Sequence, residues 1–194
     1  LKEAISNNNW SVWQTLTFND VILQSGVQKL RLYCDDGAGE KADFIHYVKH
    51  GSLHLISLIH VKASKSSEST RRISVGAHDV VLNQAVKNLR YTSRKTLVED
   101  LKARHDTATH KSCWNNGQPG KPEDFFNELL ALKDNKYVKT RVVVVQPHTQ
   151  KSVYEVNTGN KIKTQLDVLL VSAENAIRSS GADFHIIGFD DNKV

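Results

Sequence analysis

Asp43, His60 and Lys62 are the residues of this 194-residue chain whose types and spacing suggest chemistry. His60 and Lys62 stand two apart, so on a strand they point to the same face. Asp43 opens the preceding strand-like segment, and Glu40 lies three residues before it. With a turn centred on His50-Gly51, two-residue hairpin geometry sets Asp43 opposite Leu58 and Lys41 opposite His60, to within one or two residues. A carboxylate, an imidazole and a lysine then gather at one end of a sheet. A carboxylate is a hard oxygen ligand suited to Mg²⁺, which keeps several of its waters. Such a metal lowers the pKa of a bound water and balances charge on a phosphate. A lysine beside it orients the water or stabilises developing charge. The set is equipped to hydrolyse a phosphodiester.

Strands must position these residues, and the pattern supplies them. Val27 to Cys34 alternates with period two and reads as a strand, ended by the turn composition Asp35-Asp36-Gly37-Ala38-Gly39. Ala42 to Lys49 is a second strand. Leu53 to Val61, rich in Ile and Leu, is a third that looks buried on both faces. Val81, Leu82, Ala85, Val86 and Leu89 share one helical stripe, and Leu97 to Lys102 adds a further helical turn. His105 to Pro122 reads as a loop. Pro122-Glu123-Asp124 opens a helix that runs to about Lys133. Lys139 to Gln146 is a central strand that ends at Pro147. Lys161 to Ser179 is a helix stopped at Gly181, and Ala182 to Phe189 closes as a strand. Leu1 to Asp20 reads as a short helix and turn that leads into a core over 27–189. The expected fold class is α/β, a mixed sheet with helices outside.

Composition sets the bounds. Hydrophobic residues are 39% and charged residues 24%, which excludes a disordered or low-complexity chain. The longest apolar run, Val142 to Val145, is too short to cross a bilayer, so no membrane partner is expected. Lys and Arg number 26 against 21 Asp and Glu, a net charge of +5 that permits a nucleic-acid partner without demanding one. Two cysteines, Cys34 and Cys113, are too few for a disulfide framework, and a reduced, cytoplasmic setting is the default, with one disulfide between them left open. Met is absent even at position 1, which reads as a single domain cut from a longer polypeptide.

The segments Cys34-Asp35-Asp36-Gly37-Ala38-Gly39-Glu40-Lys41-Ala42-Asp43-Phe44-Ile45 and Ile59-His60-Val61-Lys62-Ala63-Ser64 resemble the PD-(D/E)XK, or restriction-endonuclease-like, nuclease superfamily. More narrowly, they resemble nuclease-like domains of bacterial helicase and antiviral-defence proteins. The close match covers about a third of the chain; the rest agrees in the order of its elements. The resemblance implies a restriction-endonuclease-like mixed sheet and hydrolysis of DNA by an effector of a prokaryotic defence system. It implies Mg²⁺ or Mn²⁺ held by Asp43 with Glu40 or Asp36, with Lys62 positioning water or stabilising charge. Gln84, in Asn83-Gln84-Ala85-Val86-Lys87, fits the glutamine of the helix that follows in the family. His60 stands where the family has an acid, which removes one carboxylate from the expected set. A linked or associated helicase or ATPase is the implied partner, and a homodimer is allowed.

Basic residues flank the set. Lys65, Arg71 and Arg72 lie in a Ser-rich stretch after Lys62, and Lys87 lies on the following helix. Lys, Arg and Ser are common phosphate contacts. Each residue also has a plainer reading: Asp43 caps a turn, Lys62 ends its strand in water, His60 is a core histidine, and the basic stretch is a solvated connector. His46, His50 and His54 recur every four residues but span two strands and a turn, and Cys113 with His105 and His110 has no metal spacing. Two other functions are therefore carried: an inactive nuclease fold that binds nucleic acid or a partner protein, and a purely structural or interaction domain with no nucleic-acid role.

Overall fold

Alternating side chains build β1 (Val27–Cys34), and antiparallel pairing continues through β2 (Phe44–His50) and β3 (Leu53–Val61). They belong to a computed structural model that describes residues 27–35, 37–62, 73–107, 112–156 and 159–189. The following elements are α1 (Val75–Lys87), a 3-10 turn (Leu89–Thr92), α2 (Arg94–His105), β4 (Cys113–Asn115), β5 (Gln118–Pro119) and α3 (Pro122–Ala131). The chain then forms β6 (Val138–Gln150), α4 (Lys151–Val156), α5 (Lys161–Ser179) and β7 (Asp183–Phe189). The strands make a seven-stranded sheet in the order β5-β4-β1-β2-β3-β6-β7, flanked by helices. The sheet is mixed. His54 N–H donates to the Tyr137 carbonyl and Lys62 N–H to the Val145 carbonyl, each at 3.1 Å, so β3 and β6 advance in the same direction. The α/β class expected from the order of elements is the one observed.

The chain divides into two compact units. One holds the described residues up to Ile59 together with Arg90–Arg141; the other holds His60–Leu89 and the described residues from Val142 on.

In the first unit, Tyr33, Ile45, Tyr47, Ile56 and Leu58 of the sheet bury against Leu97 and Leu101 of α2 and Phe125, Phe126 and Leu129 of α3. Tyr33 stacks on Phe125 at 5.7 Å and meets Phe126 edge-on at 5.2 Å. Fully burying a large apolar side chain contributes roughly 1.5–3 kcal/mol, so this aromatic group anchors the unit. α3 starts at Pro122 with Glu123 and Asp124 in its first turn, where the missing N–H costs nothing and the helix dipole favours acids.

In the second unit, Val142 and Val144 of β6 pack with Val81, Leu82 and Ala85 of α1 and with Ala173 and Ile177 of α5. Both long helices have side-chain caps: the Ser74 hydroxyl accepts from Ala77 N–H at 3.3 Å, and the Asn160 side-chain Oδ1 accepts from Ile162 N–H at 2.9 Å.

Four expectations change. The hairpin turn is Gly51-Ser52, with His50 paired to Leu53, so the pairs are Ile45↔Leu58 and Phe44↔Ile59. The left-handed residue of this two-residue loop is Gly51 (φ +58°), and the pairing slides by two residues to put glycine there. The stretch read as a loop holds the β4–β5 hairpin. α2 is a full helix over Arg94–His105 rather than a turn. β6 runs past Pro147 to Gln150 and leads into α4. Since β3 ends at Val61, the missing Pro147 N–H removes no bond to that neighbour. The lead-in read at Leu1 to Asp20 and the basic stretch after Lys62 lie outside the described residues.

Candidate functional site

In the first unit, Asp43 is the residue before β2 and is fully buried (0% exposed). Its carbonyl accepts from Asp35 N–H at 3.1 Å, which closes the loop between β1 and β2. Arg104 of α2 clamps that loop: Nη1 donates to the Asp35 carboxylate and carbonyl, and Nε donates to the Ala38 carbonyl at 3.1 Å. Lys41 N–H adds a 2.8 Å bond to Asp35 Oδ2. Burial still pushes the Asp35 carboxyl above its ordinary value, against the pull of these partners. The Glu40 carboxylate accepts from Gly37 N–H at 3.0 Å and so turns back into its own loop. Asp36, the other acid expected at the metal, lies outside the described residues.

In the second unit, His60 is fully buried (0% exposed) and Lys62, one residue past the end of β3, is exposed. Lys62 N–H bonds to Val145 O, and in a parallel ladder that bond sets Lys62 beside Gln146. Gln146 was not a sequence candidate. It is 2% exposed, and neither its amide oxygen nor its amide nitrogen has a hydrogen-bond partner. Alternation puts it on the same face of β6 as Val142 and Val144, the face that α1 covers. Gln84 is half-buried on α1, next to the buried Ala85. A signal for Gln146 existed: it is the polar residue that follows four consecutive valines in a central strand. Lys87 is exposed in the last turn of α1. Lys65, Arg71 and Arg72 lie outside the described residues.

Among the described residues, no group of three or more His, Cys, Asp or Glu side chains is placed to hold a metal ion. That excludes a closed protein cage there. It leaves the mode that suits Mg²⁺, which binds through one or two carboxylates and keeps its waters or takes phosphate oxygens. Asp43 carries one carboxylate, and it is fully buried. The remaining histidines fit the plainer readings. His46 pairs with Ser57 and His50 with Leu53 across the β2–β3 hairpin, while His54 pairs with Lys49. Burial, with Arg141 nearby, lowers the His46 pKa to about 3, so the ring is neutral. His105 Nδ1 bonds the Tyr33 hydroxyl at 3.1 Å. Cys34 and Cys113 are buried and not joined in a disulfide, and burial pushes the Cys113 thiol up to about 12, which makes it inert as a nucleophile.

No described helix is long and apolar enough to cross a membrane. No protein-family model matches the chain, and neither curated proteins nor solved structures give a match.

Proposed function

We propose that the chain is a metal-dependent nuclease domain that hydrolyses DNA phosphodiester bonds. The observation that supports it best is the β2–β3 register, with Phe44 against Ile59. Asp43 adjoins the first of these residues in the chain and His60-Val61-Lys62 follows the second. The proposal takes that register one residue further and assigns Asp43, His60 and Lys62 to one site. A buried carboxylate is an oxygen donor, which suits Mg²⁺ or Mn²⁺ better than softer metals. Asp43 would hold the ion, which when bound supplies an activated water and charge balance for phosphate. The Lys62 ammonium, exposed at the end of a buried strand, is accessible to a phosphate oxygen and stabilises its developing charge. His60 takes the place of a second acid, and its imidazole suits orienting water better than binding a hard cation. Gln84 and Gln146 bring amide groups to the face of the sheet that carries α1. Exposed Lys87, with Lys65, Arg71 and Arg72, is assigned to the phosphate backbone. A role as effector of a defence system, with a linked helicase or ATPase, rests on the resemblance alone.

A second reading is a nuclease fold that binds nucleic acid without cutting it. Full burial of both Asp43 and His60 favours it, because a catalytic carboxylate must reach its ion and water. Plasmid cleavage with Mg²⁺, Mn²⁺ or chelator, in wild type and in Asp43→Asn and Lys62→Met, separates the two. Metal-dependent cutting lost in both variants supports the nuclease, and salt-sensitive binding without cutting under either metal supports the second reading.

A further inference from the structure

The second unit holds a pocket of about 270 Å³ that the nuclease reading does not use. Leu166 and Leu170 of α5, Ile186 of β7 and the ring of Tyr154 on α4 give it an apolar wall. Ile186 is 41% exposed, so the pocket opens to solvent. His78 of α1 and Thr149 of β6 also line it. An apolar wall with a few placed polar groups is the usual make-up of a small-molecule site.

The polarity of the wall follows from a chain of hydrogen bonds. His78 Nδ1 lies 2.8 Å from the Ser74 carbonyl, which accepts only, so Nδ1 carries a proton. Burial lowers the His78 pKa and keeps the ring neutral, so Nε2 carries no proton and accepts. Thr149 Oγ1 stands 3.1 Å from Nε2 and therefore donates to it. With its proton committed to the ring, this hydroxyl offers only lone pairs to a ligand. Tyr154 is fixed in the same way. Its hydroxyl donates to Asp167 Oδ1 at 2.6 Å, and Lys163 donates to Oδ2 at 2.7 Å. The Lys163 and Tyr154 bonds hold the Asp167 carboxyl below its ordinary range, so it stays ionised and accepts only. Lys163 Nζ also stands 4.4 Å from the Tyr154 ring centre, so the ring is held from two directions. Lys151 borders the pocket too, and an ammonium, which only donates, has nothing to accept from an N–H.

We infer that this pocket binds a flat, neutral aromatic molecule of indole size, with its rings among Leu166, Leu170 and Ile186 and one N–H donor on Thr149 Oγ1. An apolar cavity of about 150 Å³ accepts benzene, so the larger volume here suits a two-ring molecule. A ligand with a donor gains a hydrogen bond to Thr149 that a ligand of the same shape without one does not. Selection comes from hydrogen-bond direction rather than from charge. The site shares no residue with the nuclease reading and stands or falls apart from it.

The test is calorimetric titration of the full chain with indole, and with benzofuran as the counterpart of the same shape that lacks the N–H. The expected result is indole binding with a Kd below about 1 mM and benzofuran at least about tenfold weaker. Thr149→Val, which keeps the shape and removes the hydroxyl, should weaken indole about tenfold and leave benzofuran unchanged. Thr149→Ser should keep the preference for indole, and Thr149→Ala answers if Thr149→Val fails to fold. Ile186→Trp, at the exposed rim, should abolish binding of both. No indole binding by folded wild type overturns the site. Equal binding of benzofuran, or a preference for indole that survives loss of the Thr149 hydroxyl, overturns the donor assignment. Affinity unchanged in folded Ile186→Trp overturns the location.

Discussion

Lys62 donates its backbone N–H to the Val145 carbonyl at 3.1 Å, and this bond sets the exposed lysine beside the buried amide of Gln146. One residue thus ends a buried strand in a charge, and its neighbour keeps an amide whose atoms have no hydrogen-bond partner. An unsatisfied buried polar group costs about 1–3 kcal/mol, a cost that a purely structural strand has no reason to keep.

Gln146→Leu should therefore raise stability by about 1 kcal/mol in denaturant unfolding. It should at the same time lower metal-dependent cleavage by about tenfold, because one positioning group is lost. A variant that is less stable than wild type would show that the amide carries structural weight instead.

The Asp35–Arg104 pair governs the acidic loop before Asp43. Arg104→Ala strands a buried carboxylate and should cost about 3 kcal/mol. The double variant Asp35→Asn with Arg104→Met should lose clearly less, since no uncompensated charge remains. Thermal or denaturant unfolding of the three proteins measures this; equal losses in the single and double variants would mean that the pair does not hold the loop.

His46 sets a pH dependence. Its pKa is about 3 in the folded chain, against an ordinary 6.5. Below about pH 6.5 the unfolded chain takes up a proton that the folded chain refuses, so stability is fully present above that pH. It then falls toward pH 3 by up to about 1.4 kcal/mol per unit. His78, also lowered by burial, acts in the same direction. Unfolding free energy should drop by about 2 kcal/mol from pH 7.5 to pH 5, and by at least about 1 kcal/mol less in His46→Gln. An unchanged pH profile in the variant would contradict this assignment.

Much of this architecture was legible in the residues themselves. Leu53–Val61 and Lys161–Ser179 are the elements their patterns indicate, because a long apolar run and a capped stripe each admit one structure. The β4–β5 hairpin escaped, since three-residue and two-residue strands are too short to show a period. Its turn was nonetheless written in the sequence: Asn116 (φ +48°) and Gly117 (φ +83°) form the Asn-Gly loop between Asn115 and Gln118. At the candidate site, residue types were legible and register was not. The pairing turned on which loop position takes the left-handed conformation, and Gly51 moved it by two residues. Gln146 showed in the sequence only as a polar residue after four valines, because its position beside Lys62, eighty-four residues earlier, is set by the parallel pairing. The bond from Gly37 N–H to the Glu40 carboxylate was likewise invisible to composition, being a property of one turn.

The central claim is that Asp43 and Lys62 serve one metal-dependent hydrolytic site, and supercoiled-plasmid cleavage tests it most directly. With Mg²⁺ or Mn²⁺ the wild-type chain should nick the plasmid, and chelator should stop it. Asp43→Asn and Lys62→Met should each cut at least about 100-fold more slowly, while exposed Lys62→Met keeps the wild-type melting temperature. Cleavage that persists undiminished in both variants, or the absence of cleavage by folded wild type under either metal, would contradict the claim.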